Sequence, residues 1–225
     1  PKVLWSARKP YLWLNNEKKR LISEGDSAYF FQEYQNIPMD DSFRVFKSTD
    51  MQYWQGYYLR EKGQSYVMRV DDGRKEKVPI NIFMGVDPAS SENVKADYTV
   101  IMVVGVDKSN NIYVLDFFRG QVTPMDGADK IFELADEYFP KCINIEETGH
   151  VMLADYILRT SKESGRFLNI NPKKAIKTKY YRIKQMQPLL ASKAMILKEE
   201  HYAQEQKILA FTENGKHTKD TLDAL

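Results

Sequence analysis

Apolar residues recur along this chain with two periods, and the change between them falls near residue 80. Over residues 10–24 (PYLWLNNEKKRLISE) Leu14, Leu21 and Ile22 repeat at helical spacing, and Gly25 supplies a C-terminal stop. Asp26 is set to cap a second, aromatic-rich helix over 27–35, residues 36–47 read as irregular, and 51–61 read as a further helix. Residues 65–70 and 76–80 flank Asp71-Asp72-Gly73, a turn signal that predicts a hairpin. Beyond it the period becomes that of strands, with apolar and β-branched runs at 81–87, 98–107 and 111–119 and a hairpin connection at 108–111. Thr123 is the N-cap of a helix over 125–139 that Pro140 ends, and 141–146 is a short buried strand. A helix at about 151–163, a strand at 167–171, a helix over 180–191 bent near Pro188, a strand at 194–197 and a helix over 200–211 complete the pattern.

The order of these elements, three strands and then alternating helices and strands, predicts an α/β domain. Its mixed sheet is antiparallel over the first three strands and parallel after the first helical crossover, with helices on both faces. Residues 80–225 form that domain, and residues 1–79 form a helical and hairpin lead-in that packs on it. In such a sheet the strand ending at Asp87 and the strand ending at Glu146 are neighbours running in the same direction, so their carboxylates meet at one edge.

Composition narrows the class. With 225 residues, 43% of them hydrophobic and 28% charged, the chain is long enough for a full core. No apolar run approaches the roughly 18 to 20 residues of a membrane span. Cys142 is the single cysteine, which excludes an intramolecular disulfide and fits a reducing cytosolic setting. The net charge of +2 is uninformative, but its distribution is not. Between Ser164 and Lys198 there is no acidic residue, while Lys173, Lys174, Lys177, Lys179, Arg182 and Lys184 cluster there. Such a stretch is either a phosphate-facing surface or a solvated loop and helix. No GxxxxGKS or GxxxxGKT loop occurs, so no ATPase site of that kind is expected in this chain.

Four acidic positions then attract attention. Asp87 and Glu146 end their strands, and the terminal TKDTLDAL carries Asp220 and Asp223 at i, i+3 helical spacing. Each alone has a plain explanation: Asp87 starts a turn before Pro88, Glu146 ends a strand, and Asp220 caps a helix. Brought together they repel one another unless a cation sits among them. Oxygen donors suit Mg²⁺ or Mn²⁺; zinc is poorly served by one cysteine and by the scattered His150, His201 and His217. Two such ions about 3.5 to 4 Å apart are the machinery of phosphodiester hydrolysis.

The motifs GVDPA (85–89), ADYTV (96–100), INIEETG (143–149), KYYRI (179–183) and the terminal KDTLDAL resemble, in that order, the nuclease domain of the large terminase subunit of tailed bacteriophages. FFQEYQNIP (30–38) is similar to the stretch that joins the terminase motor to its nuclease. The resemblance implies an RNase H-like fold and divalent-metal endonuclease activity on double-stranded DNA, cutting concatemeric genomes during packaging in the cytoplasm of the infected host. It further implies the portal protein, the small terminase subunit and an ATPase domain of the same polypeptide as partners, with the ATPase preceding Pro1. Carried over by position, Asp87 and Glu146 are metal ligands, and Glu147 points to the opposite face. The family's last motif usually reads His-Asp-Asp, but Thr218 and Lys219 stand in its first two positions, so the third ligand is Asp220 or Asp223. Asp97 is either a further ligand or a group behind the ligands. Two other readings compete: another RNase H-like nuclease, such as a Holliday junction resolvase, and a catalytically silent module that docks on DNA or capsid.

Overall fold

The computed structural model describes residues 7–24, 30, 34, 45–89, 98–146, 152–174 and 179–198. Its spine is β4 (Arg74–Asp87), one strand of 14 residues with two sets of partners. The strand begins after Asp72 and Gly73, whose positive φ angles of 45° and 76° match the twist of a tight hairpin to β3 (Gln64–Asp71). Pairing with β3 stops at Ile80, one residue past Pro79, which has no N–H to donate. From Asn81 onward β4 pairs antiparallel with β5 (Thr99–Val106), and from Phe83 it pairs parallel with β7 (Cys142–Glu146).

The helix predicted over 51–61 is instead two strands, β1 (Tyr53–Trp54) and β2 (Gly56–Glu61). Lys62 and Gly63, both at positive φ, close a second hairpin, and β3 supplies partners for all six residues of β2. Tertiary pairing overrides an aromatic pattern that suits either state. The strand predicted at 167–171 is displaced to β8 (Ile170–Lys173), because its register is set by Ile143 opposite Ile170, and Phe167 lies outside at 81% exposed. Pro172 is tolerated since, among the described residues, β8 pairs only with β7.

With β6 (Ile112–Gly120) and β9 (Met195–Lys198), the main sheet runs β8-β7-β4-β5-β6-β9. Strand β5 runs antiparallel to both of its neighbours, β4 and β6, whereas β7 and β8 run parallel to β4, and β9 runs parallel to β6. This is the mixed α/β sheet predicted from the element order. Asp107 organises the β5–β6 turn by accepting the N–H groups of Ser109 and Asn111 and the Asn111 side-chain amide, at 2.8 to 2.9 Å. Burial pushes its carboxyl pKa up, but these bonds outweigh burial and hold it below the ordinary value.

Alternate residues of the strands feed two cores. Ile101 and Val103 join Ile82, Met84, Val86, Ile143 and Ile145 beneath α2 (Pro124–Tyr138) and α3 (Met152–Ser164). Val100 and Met102 face the other way, with Ile183 of α4 (Lys179–Lys184), Leu190 of α5 (Gln187–Ala191) and Met186 between the two helices. The helix predicted over 180–191 divides between α4 and α5 shortly before Pro188, whose ring cannot follow a helical turn. The predicted helix over 10–24 is α1 (Tyr11–Glu24). The helix predicted over 200–211, all but Phe30 and Tyr34 of the helix predicted over 27–35, and most of the irregular 36–47 lie outside the described residues.

Thr123 caps α2 as its sequence predicts: its Oγ1 accepts the Asp126 N–H at 3.2 Å and donates to the Asp126 carboxylate at 2.7 Å. Thr123→Ala is expected to cost about 1 kcal/mol, read as a lower denaturant midpoint at unchanged slope. A loss below a few tenths would mean that Pro124 at the first turn suffices.

Candidate metal centre

The acidic edge is built by register. β4 and β7 align Phe83 with Cys142, Met84 with Ile143, Gly85 with Asn144 and Val86 with Ile145. The next residue of each strand, and the last, is Asp87 on β4 and Glu146 on β7. Two carboxylates therefore end neighbouring parallel strands at the same level. Since Val86 and Ile145 belong to the core under α2 and α3, Asp87 and Glu146 alternate to the face that carries α4. Asp87 is 7% exposed and lies opposite Val100 of β5. Just beyond it, the Ala89 N–H donates to Thr99 Oγ1 at 3.1 Å, which ties the chain leaving β4 to the start of β5.

Glu146 is held by Arg182 of α4. The guanidinium forks onto the carboxylate, with Nη1 2.9 Å from Oε2 and Nη2 3.0 Å from Oε1. Ile183, fully buried next to Arg182, anchors α4 to the sheet. Beside this pair is a cavity of about 320 Å³, with Phe83, Gly85, Met102 and Val104 among its lining and Asn144, Glu146, Lys173 and Arg182 supplying its polar groups. Asn144 is fixed there, its Oδ1 accepting from Asn171 Nδ2 at 3.0 Å.

Of the residues singled out in the sequence, Asp87 and Glu146 are thus brought to one edge. Lys173 pairs in register with Glu146, and it, Lys174 and Lys184 are exposed on the same stretch. Arg182 spends its fork on Glu146, and Lys179 opens α4. Asp97, Glu147, His150, Lys177, His217, Thr218, Lys219, Asp220 and Asp223 lie outside the described residues. Among the described residues no three His, Cys, Asp or Glu side chains form a group able to hold a metal ion. Sequence reasoning missed Thr99, Asn144 and the Glu146–Arg182 pair. Asn144 was within reach of strand parity, being two residues before Glu146; the others depend on contacts distant in sequence.

The donor chemistry of the edge fits a hard divalent cation. Both groups are carboxylates, which are hard oxygen donors, and one is nearly buried. A mixed sheet of this order with helices on both faces is an RNase H-like fold. The chain belongs to the terminase RNase H-like domain family, whose sequence model matches residues 84–225, more than half of its length. Among solved structures, it is similar to the large terminase nuclease of thermophilic phage G20c, at 16% identity and a TM-score of 0.50, covering 75% of this chain and 81% of that one. A zinc-bound structure of the G20c nuclease matches at 18% identity and a TM-score of 0.51, covering 80% and 96%. The large terminase of another thermophilic bacteriophage matches at 11% identity and a TM-score of 0.53; 95% of this chain is covered, and it spans half of that protein. Among curated protein sequences nothing matches.

Proposed function

We propose that this chain is a metal-dependent endonuclease domain that hydrolyses double-stranded DNA during phage genome packaging. The observation that carries the reading is the level pair Asp87 and Glu146 at the carboxyl ends of adjacent parallel strands, in a member of the terminase RNase H-like family. Asp87 and Glu146 would hold the metal from the sheet, with Asp220 or Asp223 as the third ligand and Asp97 near them. When bound, a pair of Mg²⁺ or Mn²⁺ ions supplies the positive charge that activates a water and neutralises the leaving oxygen of a phosphodiester. Hard oxygen donors favour these two ions. The G20c nuclease has been crystallised with cobalt and with zinc, in keeping with a site for divalent ions.

The chain's own residues then divide the work. The rigid strand ends fix the ligand spacing, and Thr99 restrains the turn behind Asp87. Lys173, Lys174, Lys177, Lys179 and Lys184 would hold the DNA backbone, which positions a duplex without reading its sequence. Portal protein, small terminase subunit and an ATPase domain of the same polypeptide are the partners proposed for it, in the cytoplasm of the infected host.

The test is incubation of purified protein with supercoiled plasmid, linear duplex and four-way-junction DNA, with Mg²⁺, Mn²⁺ or a chelator. Nicking and linearisation that require metal support the reading; cutting confined to the junction would favour a resolvase. Absence of cutting with either ion would favour a docking module. Replacing Lys173 and Lys174 by Ala is expected to weaken duplex binding across all sequences and to lower the slope of log affinity against log salt by about 2, as two phosphate contacts are lost. An unchanged slope in a fluorescence-anisotropy salt series would remove both lysines from the interface.

A further inference from the structure

We infer that Arg182 is an internal counter-cation competing with the metal for Glu146, so that a divalent ion binds with full affinity only once Arg182 has let go. This rests on the reading of Glu146 as a metal ligand. Both Glu146 oxygens accept from the two Nη groups at 2.9 and 3.0 Å, so a second cation in that geometry would have to share each oxygen with the guanidinium. The pair is well shielded, with side-chain exposures of 27% for Arg182 and 17% for Glu146, so solvent and salt screen it less than a surface pair. A metal on Glu146 would also stand within a few ångströms of a guanidinium, which is always protonated.

The structure further indicates which partner moves. Glu146 ends a strand paired on both sides, to β4 and to β8, and its backbone has no freedom to withdraw. Arg182 extends from a helix of six residues, next to an Ile183 that is fully buried. The helix therefore stays docked and the long side chain swings. A guanidinium matches phosphate oxygens as well as carboxylate oxygens, so a DNA backbone at the edge offers Arg182 an equivalent partner. Metal loading is in that way coupled to substrate arrival: the duplex draws Arg182 off Glu146 and the ion takes its place.

Calorimetric titration of Mn²⁺ into metal-stripped full chain tests this, using wild type, Arg182→Gln, Arg182→Lys and Glu146→Gln, alongside thermal melting with and without Mn²⁺. Arg182→Gln is expected to bind Mn²⁺ about tenfold more tightly than wild type, within the usual range of coupling between sites. Its metal-free form should melt lower, with the deficit closing as Mn²⁺ is added. Arg182→Lys, a point charge that cannot fork, should fall between the two, and it carries the test if the glutamine variant does not fold. Affinity that depends on Glu146 but is unchanged or weakened in both Arg182 variants overturns the competition alone. Affinity unchanged in Glu146→Gln overturns the metal-site reading and the competition with it.

Discussion

Asp87→Asn is expected to abolish metal-dependent DNA cleavage while leaving the fold intact. Asparagine has nearly the shape of aspartate and retains an oxygen acceptor, so the packing opposite Val100 and the Ala89–Thr99 hydrogen bond have no reason to change. What disappears is a negative charge at a nearly buried position, level with a second one on the adjacent strand. Metal assistance contributes several kcal/mol of charge stabilisation in such reactions, and each 1.36 kcal/mol is tenfold in rate, so the nicking rate should drop on the order of a thousandfold. Rates on supercoiled plasmid together with thermal melts decide it. A variant that folds and cuts at the wild-type rate would remove Asp87 from the metal site.

The second large effect lies far from the acids. Gly56 has a φ of +135°, a conformation essentially reserved for glycine, and an added Cβ would lie 1.8 Å from the Met68 carbonyl oxygen and 2.9 Å from its carbon. Both obstacles are backbone, so no rotamer change can relieve them. Gly56→Ala combines backbone strain with overpacking, each worth about 1 to 3 kcal/mol, so a loss of about 3 kcal/mol or more is expected in chemical denaturation. The kink at Gly56 separates β1 from β2 and lets Trp54 enter the core, where its indole N–H donates to the Val114 carbonyl at 3.1 Å. A quenched or shifted tryptophan signal should therefore accompany the loss. A loss below 1 kcal/mol would mean that β2 can slide past Met68 without detaching.

Where local chemistry decides the structure, the sequence is readable. Asp72-Gly73 specifies its hairpin, Thr123 its helix start, and Lys108 to Asn111 the β5–β6 turn. The parallel neighbours ending at Asp87 and Glu146 follow from the order of strands and crossover helix alone. Reading fails where partners decide. The residues from Met51 to Glu61 carry an aromatic pattern compatible with a helix, yet Tyr53–Trp54 and Gly56–Glu61 become strands because β9 and β3 present edges in register. The strand near Phe167 is misplaced for a similar reason, since the ladder with β7 selects Ile170 to Lys173. Arg182 was legible as a cation but not as Glu146's partner, because the two are brought together by the docking of α4 across 36 residues of chain.

One strand carries both the hairpin and Asp87. At about 3.3 Å per residue, the 14 residues of β4 span roughly 45 Å, and no loop or hinge interrupts the run from Arg74 to Asp87. Its first half is gripped only by β3, while its second half is gripped by β5 and β7. Such a strand makes the hairpin and the acidic edge one rigid piece: with its second half held on both sides, a body seated on the hairpin would stand at a set distance from Asp87.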